Sequence, residues 1–201
     1  RGAISTSHHL ATEAGAAALE AGGNAIDAAL AAAAALCVVY PNNVALGGDL
    51  VALVRSSDGV VRFLNATGTA PATQSLDVLR ERHGEQLPLR GIDTVTVPGG
   101  VCGWNSLHAF GATREWAQHF DAAIRYAADG VPTASSVADA LVENREFFSQ
   151  DPGASEIFYP GGEPLERHMA EAPTLEAALS LSVALVAAVG AMHAAGLVHR
   201  G

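Results

Sequence analysis

The spacing of hydrophobic and polar residues changes several times along this 201-residue chain. After Thr12, alanine and glutamate recur with a helical spacing, and Gly22-Gly23 is a pair that typically ends a helix. Asn24 is a favourable helix cap, and Ala25–Val39 is apolar or small at nearly every position. The pattern predicts a short helix followed by a second helix that is buried on most of its faces.

The segment after the second helix has the spacing of β-structure. Leucine and valine dominate Gly47–Arg55, a turn signal follows at Ser57-Asp58-Gly59, and Val60–Leu64 is a second apolar run. These features predict a β-hairpin. A short run of strand-forming residues, Thr94–Val97, precedes Pro98-Gly99-Gly100 and predicts one further strand-like piece.

Helical spacing returns after the predicted hairpin. The Pro- and Gly-rich stretch Asp151–Gly162 interrupts it and predicts turns. The predicted helices are Leu76–His83, Val101–Phe110, Glu115–Ala128, Ser135–Phe148 and Leu175–Ala195.

Composition and charge narrow the class of protein. Hydrophobic residues make up 49% of the chain and charged residues 16%, a balance that favours a folded, helix-rich protein over a disordered one. Acidic residues outnumber Lys and Arg by 21 to 11, and no basic run is present. Because a nucleic-acid partner requires clustered positive charge, none is expected.

Two apolar stretches are candidates for membrane-spanning segments. Ala25–Tyr40 is too short and contains Asp27, and Leu175–Leu197 is interrupted by serine, glycine and histidine. A buried helix explains both patterns, so no membrane partner is predicted.

The cysteines and the first residues bear on the compartment. Cys37 and Cys102 have no CxxC spacing and are predicted to be buried thiols in a reducing compartment. The first ten residues lack the apolar segment of a secretion signal, although a segment already removed would leave no trace. The expected localisation is cytoplasmic.

The chain lacks the common motifs of catalytic and ligand sites. The patterns GxSxG, HExxH, GxxxxGK[ST] and GxGxxG do not occur, so no catalytic nucleophile and no cofactor are predicted. The pair His8-His9 has no third ligand at a useful spacing, so no metal site is predicted. Asp27 is expected to hydrogen-bond a helix end or a loop amide rather than to act in catalysis.

Blocks of sequence between residues 3 and 165 nevertheless follow one another in a recognisable order. They include Ala3–Gly15, Gly22–Ala29, Leu46–Leu50, Leu64–Ala72, Val95–Gly99 and Ala122–Pro132. Together they resemble the front part of γ-glutamyltranspeptidase family proteins. The resemblance covers residues 1–165, and residues 166–201 form a predicted helical tail without a match. The final ten residues faintly resemble the helix before a protein-kinase catalytic loop, with Gly201 where the catalytic aspartate would stand.

The resemblance implies an α/β (α+β) fold, the αββα sandwich of N-terminal-nucleophile hydrolases. This chain would supply the large-subunit helices and part of the strands. It also implies an amide hydrolase or acyltransferase in which a freed threonine at the head of a small subunit attacks the amide carbonyl, with its own amine as base.

The Thr-Thr-His-like motif that would carry this nucleophile is absent from the sequence. The expected partner is therefore a separate small subunit with an N-terminal Thr. A shortened chain, or a catalytically inactive relative that serves as a binding or assembly subunit, are the alternatives.

The resemblance also directs attention to Asn65-Ala66-Thr67-Gly68-Thr69-Ala70-Pro71. True transpeptidases have Arg-Glu-Thr-Ala-Pro here, and Thr67 stands at that arginine. A second branch of the family has Asn-Ala-Ser-Gly-Arg-Ala-Pro, and Thr69 stands at its arginine. Thr67, Thr69 and Asn65 are therefore the predicted substrate-binding residues, for a small-molecule amide that is not an ordinary γ-glutamyl compound.

Overall fold

The computed structural model describes residues 2–165. In chain order their elements are α1 (His9–Glu20), α2 (Ala25–Val39), β1 (Leu50–Arg55), β2 (Val61–Ala66), α3 (Leu76–His83), α4 (Gly100–Gly111), α5 (Asp121–Asp129), α6 (Ser135–Glu143), α7 (Arg145–Phe148) and α8 (Pro152–Phe158). Short 3₁₀ helices lie at Ile92–Thr94, Trp116–His119 and Pro160–Gly162. The predicted helix Leu175–Ala195 and the kinase-like final residues lie outside the described part of the chain.

The described residues form two compact units. The first contains residues 2–46 and 106–165, and the second contains residues 47–105. Helices together with an antiparallel hairpin give the α+β class that the sequence predicts. In the described part of the chain, no helix has both the length and the apolar character that a membrane crossing requires.

Small side chains let α1 and α2 pack closely in the first unit. Ala11, Ala14 and Ala35 are buried together with Val39. At Gly15 of α1, an added β-carbon would lie 2.9 Å from the carbonyl oxygen of Ala28 in α2. Because the helices approach this closely, larger side chains on the facing surfaces would overlap.

Polar caps set the starts of both helices. Asn24 Oδ1 accepts hydrogen bonds from the backbone N–H groups of Ile26 and Asp27, and Asp27 Oδ2 accepts from the Asn24 N–H at 2.7 Å. This reciprocal capping box confirms the predicted start of α2. Helix α1 begins earlier than its alanine run indicates, because His8 Nδ1 accepts from the Leu10 N–H at 3.2 Å and caps it.

Three predictions for the later helices of this unit are wrong in detail. The expected helix Glu115–Ala128 is a 3₁₀ turn and α5, joined at Phe120, and the expected helix Ser135–Phe148 is divided at Asn144. The stretch predicted to be turns contains α8. Its start is favoured because Asp151 Oδ1 accepts from the Ala154 N–H at 2.7 Å and proline occupies the first turn.

The second unit is built on the predicted hairpin. Its strands are antiparallel, with Leu50 opposite Ala66 and Leu53 opposite Phe63. Helix α3 matches the predicted range and is capped by the Ser75 hydroxyl. The prediction of a strand-like piece at Thr94–Val97 is wrong, because this segment has no ladder partner among the described residues.

Helix α4 begins at Gly100 in the second unit. A β-carbon at Gly103 would lie 2.6 Å from Leu50 Cδ2 and 2.8 Å from Ala66 Cβ, so the helix packs directly on the hairpin. Cys102 is one residue, about 100°, around the helix from this contact. It is exposed, and the prediction that both cysteines are buried is wrong for Cys102. Cys37 is half-buried, and burial raises its pKa to about 11.

Candidate functional site

The loop that leaves β2 carries the three predicted substrate-binding residues. This threonine loop comprises residues 65–71. Asn65 Oδ1 accepts hydrogen bonds from the Thr67 N–H at 3.1 Å and from the Thr67 hydroxyl at 2.9 Å. Since a backbone N–H can only donate, the accepting atom is the carboxamide oxygen and the orientation of the Asn65 side chain is fixed.

This arrangement determines which polar groups stay available on the loop. The Thr67 hydroxyl gives its proton to Asn65, so its oxygen can accept a hydrogen bond from elsewhere. The Asn65 Nδ2 group lies on the other side of the carboxamide and carries two N–H donors. Asn65 and Thr69 are exposed and Thr67 is half-buried. The loop therefore presents uncharged donors and acceptors.

A second segment, residues 95–99, holds the threonine loop from one side. The Thr96 hydroxyl donates to the Thr67 carbonyl oxygen at 3.0 Å, and the Val97 N–H donates to the Thr69 carbonyl oxygen at 2.9 Å. Gly68 lies between these two carbonyls with φ +82°, a conformation that favours glycine. A β-carbon there would overlap the Val97 carbonyl oxygen, so the close approach also requires glycine.

The structure thus brings Asn65 and Thr67 together through their side chains. Thr69 takes part through its backbone carbonyl. Gly47 and Gly48 lie in a turn before β1, and the Gly48 carbonyl oxygen accepts a hydrogen bond from the Gly100 N–H at 2.9 Å. Substrate binding by the three loop residues stays a prediction.

Asp27 is the centre of a separate polar cluster in the first unit, and its side chain is fully buried. It accepts from the Thr113 hydroxyl at 2.6 Å and from the Thr113 and Arg114 N–H groups, both at 3.0 Å, in addition to the Asn24 N–H. Burial alone would raise the pKa of Asp27, but these hydrogen bonds together lower it to about 2. The carboxylate caps a helix and holds a loop, which confirms the structural role predicted for it.

Sequence patterns did not single out the histidine beside this carboxylate. His119 is 1% exposed, and its ring nitrogens have no hydrogen-bond partner among the described residues. Its Nε2 lies 3.8 Å from Asp27 Oδ1, and its ring meets the His108 ring edge-on at 5.3 Å between centroids. Burial lowers the pKa of His119, the Asp27 carboxylate opposes this shift, and His108 and Arg114 add to it.

The described residues offer no cluster of metal-ligating side chains. They contain no group of three or more histidine, cysteine or acidic side chains that could hold an ion. His8 and His9 stack with their ring centroids 4.6 Å apart, and His8 is committed to capping α1. His8 therefore has a structural role as the cap of α1.

Comparison with known proteins gives the family. The family model for gamma-glutamyltranspeptidase matches residues 11–191, which extends beyond the residue 165 at which the sequence resemblance ended. The chain is 33% identical to the Acylase ACY 1 proenzyme of Pseudomonas sp. (strain V22), over 94% of this chain and 35% of that protein. It is 37% identical to the oxamate amidohydrolase proenzyme of Klebsiella pneumoniae, over 78% of this chain and 30% of that protein.

A solved structure agrees with these relatives. The gamma-glutamyltranspeptidase of Helicobacter pylori superposes with a TM-score of 0.78 and 28% identity, over 95% of this chain and 55% of that one. The chain spans about a third of the length of the two curated relatives. Since the family match covers most of the chain and the fold agrees, the chain belongs to the gamma-glutamyltranspeptidase family.

Proposed function

We propose that the chain is the large-subunit portion of a γ-glutamyltranspeptidase-like amidohydrolase or acyltransferase. Family membership supports hydrolysis or transfer of an acyl group from an amide, since relatives are named acylase, amidohydrolase and glutathione hydrolase proenzymes. The chain spans about a third of the first two of these relatives, which leaves room for a second polypeptide.

The proposed nucleophile is the N-terminal threonine of that small subunit. Its α-amine takes the hydroxyl proton, and the oxygen attacks the amide carbonyl to form a tetrahedral intermediate. The protonated α-amine passes its proton to the leaving nitrogen, and collapse breaks the C–N bond, releases the amine and leaves an acyl ester on the threonine. Water completes a hydrolysis, and an amine completes a transfer.

The observation that carries the choice of substrate is the uncharged Asn65–Thr67 pair. A guanidinium grips a carboxylate with two charge-assisted hydrogen bonds, and no side chain of the threonine loop can do so. The loop offers an amide donor and a hydroxyl acceptor instead. We therefore propose a small amide that is not an ordinary γ-glutamyl compound, with Asn65, Thr67 and Thr69 beside its acyl group.

The test is a substrate panel on the complex of this chain with the small subunit. The panel contains glutathione, γ-glutamyl-p-nitroanilide and two anilides whose acyl groups have no carboxylate, acetyl-p-nitroanilide and butyryl-p-nitroanilide. We expect lower kcat/KM for the two γ-glutamyl compounds than for at least one of the others. Thr67→Arg should improve γ-glutamyl binding by about ten- to a hundredfold, mainly in KM, because it restores a bidentate contact.

Thr73→Arg is the matched control, since it adds the same charge at an exposed position just beyond the loop. Robust turnover of glutathione that survives Thr67→Val and Thr69→Val would show that the carboxylate is held elsewhere. A complex that is assembled but inactive on the whole panel would favour the alternative, a catalytically inactive relative that serves as a binding or assembly subunit.

A further inference from the structure

The conformation of the threonine loop depends on contacts from outside it. On either side of Gly68, the carbonyl oxygens of Thr67 and Thr69 both accept hydrogen bonds from the segment at residues 95–99. Gly99 in that segment has no room for a β-carbon, which would overlap the Ala66 carbonyl oxygen. The two segments therefore lie in direct backbone contact and fix each other's position.

The two hydrogen bonds differ in what specifies them. The bond to Thr69 comes from the backbone of Val97, and most side chains at that position would leave it intact. The bond to Thr67 comes from the hydroxyl of Thr96, so only a residue with a similar donor can make it. Thr96 is thus the position at which side-chain chemistry controls the loop.

The carbonyl that Thr96 holds belongs to the residue that orients Asn65. Thr67 donates to Asn65 Oδ1 through both its N–H and its hydroxyl. If the Thr67 backbone rotates, both donors move and the Asn65 carboxamide loses its fixed orientation. The direction of the Asn65 Nδ2 donors therefore depends on the Thr96 hydroxyl, which donates to the backbone of the loop.

We propose that Thr96 is a positioning residue for the acyl-group site. It acts through the Thr67 carbonyl and sets the direction in which the Asn65–Thr67 pair presents its donor and acceptor to the substrate. This inference rests on the proposed function, because that function identifies the loop as the acyl-group site. The contact between Thr96 and the loop is independent of the proposed function.

The experiment compares three variants in the complex of this chain with the small subunit. Thr96→Val removes the hydroxyl at nearly constant shape, and Thr96→Ser keeps a donor. Thr94→Val is the matched control, because the Thr94 hydroxyl also donates to a backbone carbonyl, that of Gly91 at 2.8 Å, without touching the threonine loop. The readouts are hydrogen exchange at the Thr67 amide, and KM and kcat for the best amide of the panel.

Loss of one such hydrogen bond should speed exchange at the Thr67 amide about fivefold in Thr96→Val and raise KM by about the same factor with little change in kcat. Thr96→Ser should restore both values, and Thr94→Val should change neither. Unchanged amide exchange in α2 serves as the internal check that Thr96→Val is folded.

Three results would overturn the inference: wild-type exchange at Thr67 in Thr96→Val, faster exchange with unchanged KM in an active complex, or an equal effect of Thr94→Val. A wild-type complex that turns over no amide contradicts the proposed function instead. In that case hydrogen exchange still tests the contact. Faster exchange at the Thr67 amide in Thr96→Val supports the contact between Thr96 and the loop, and unchanged exchange rejects it.

Discussion

The Asp27 carboxylate joins two segments of the first unit through its hydrogen bonds. One buried carboxylate accepts hydrogen bonds from the first turn of α2 and from Thr113 and Arg114, far away in sequence. Its removal would leave several partly buried N–H groups without their acceptor, which lowers stability. The carboxylate thus links the start of α2 to the loop that follows α4.

We expect Asp27→Ala to lower the free energy of unfolding by roughly 3 kcal/mol, because hydrogen bonds to a buried charge are among the stronger ones. Urea titration followed by circular dichroism measures this loss. Asp139→Ala, at an exposed position of α6, is the control and should change the value little. Equal effects of the two substitutions would contradict the role assigned to Asp27.

The low pKa of Asp27 predicts acid sensitivity with a definite sign. Because the pKa falls from 3.8 to about 2 on folding, the carboxylate stabilises the protein above pH 3.8 and loses this contribution as pH falls toward 2. The contribution is about 2 kcal/mol. Asp27→Asn should flatten the dependence of unfolding free energy on pH in this window, and an unchanged slope would contradict the prediction.

His119 predicts a second pH dependence, at higher pH. Burial is the largest cause that lowers the pKa of His119 in the folded protein. As pH falls below 6.5, the unfolded chain therefore binds a proton at this histidine more readily than the folded protein does, and the free energy of unfolding decreases. His119→Leu should reduce this loss between pH 7 and pH 5 and cost little at pH 7, because the ring nitrogens have no described partner to lose. Thermal unfolding at both pH values is the measurement, and a steeper loss in the variant would refute the assignment.

For single residues, the sequence predicts roles that depend on neighbours along the chain and misses roles that depend on contacts between distant residues. The capping pair Asn24 and Asp27 is local, so its spacing predicts it. The Thr113 contact to Asp27 joins residues 86 positions apart, and no local pattern encodes it. Sequence patterns did not single out Thr96 or His119 either, because the hydrogen bond from Thr96 to Thr67 and the burial of His119 arise from tertiary contacts.

Among the elements, those with a strong internal pattern were predicted well. The hairpin has two runs of strand-forming residues separated by a glycine turn, and α2 has a cap and a continuous small-residue pattern. The breaks at Phe120 and Asn144 were not predicted, because the helical spacing of the sequence continues through both positions. Thr94–Val97 has strand-forming residues but no strand beside it in the described part of the chain.

The contact between the threonine loop and residues 95–99 gives a prediction for Gly99. Gly99→Ala should destabilise the protein by about 1–3 kcal/mol and raise KM for the amide substrate, because the new methyl group would push Ala66 away. Gly111→Ala is the control, since its β-carbon would meet Ile26 Cδ1 only at 3.6 Å, an ordinary contact. Urea titration and steady-state kinetics of both variants measure the difference, and a neutral Gly99→Ala would contradict the tight packing.

For the whole molecule, the sequence predicts the family, but it does not predict which surfaces of the chain are exposed. Ordered blocks of residues identify a gamma-glutamyltranspeptidase relative, and the fold of the described residues agrees. One face of the hairpin exposes large apolar side chains, Leu53 at 74% and Phe63 at 64%. A sequence pattern marks these residues as strand formers but does not predict that this face is exposed in the described part of the chain.

The central claim is that this chain works as one of two polypeptides of an amide hydrolase. Intact mass spectrometry with N-terminal sequencing of the purified, native-source protein tests it most directly. We expect two associated polypeptides, this chain and a second that begins with threonine, and amide turnover that disappears when that threonine is replaced by alanine. A folded monomer of this chain alone, with no associated polypeptide, would contradict it.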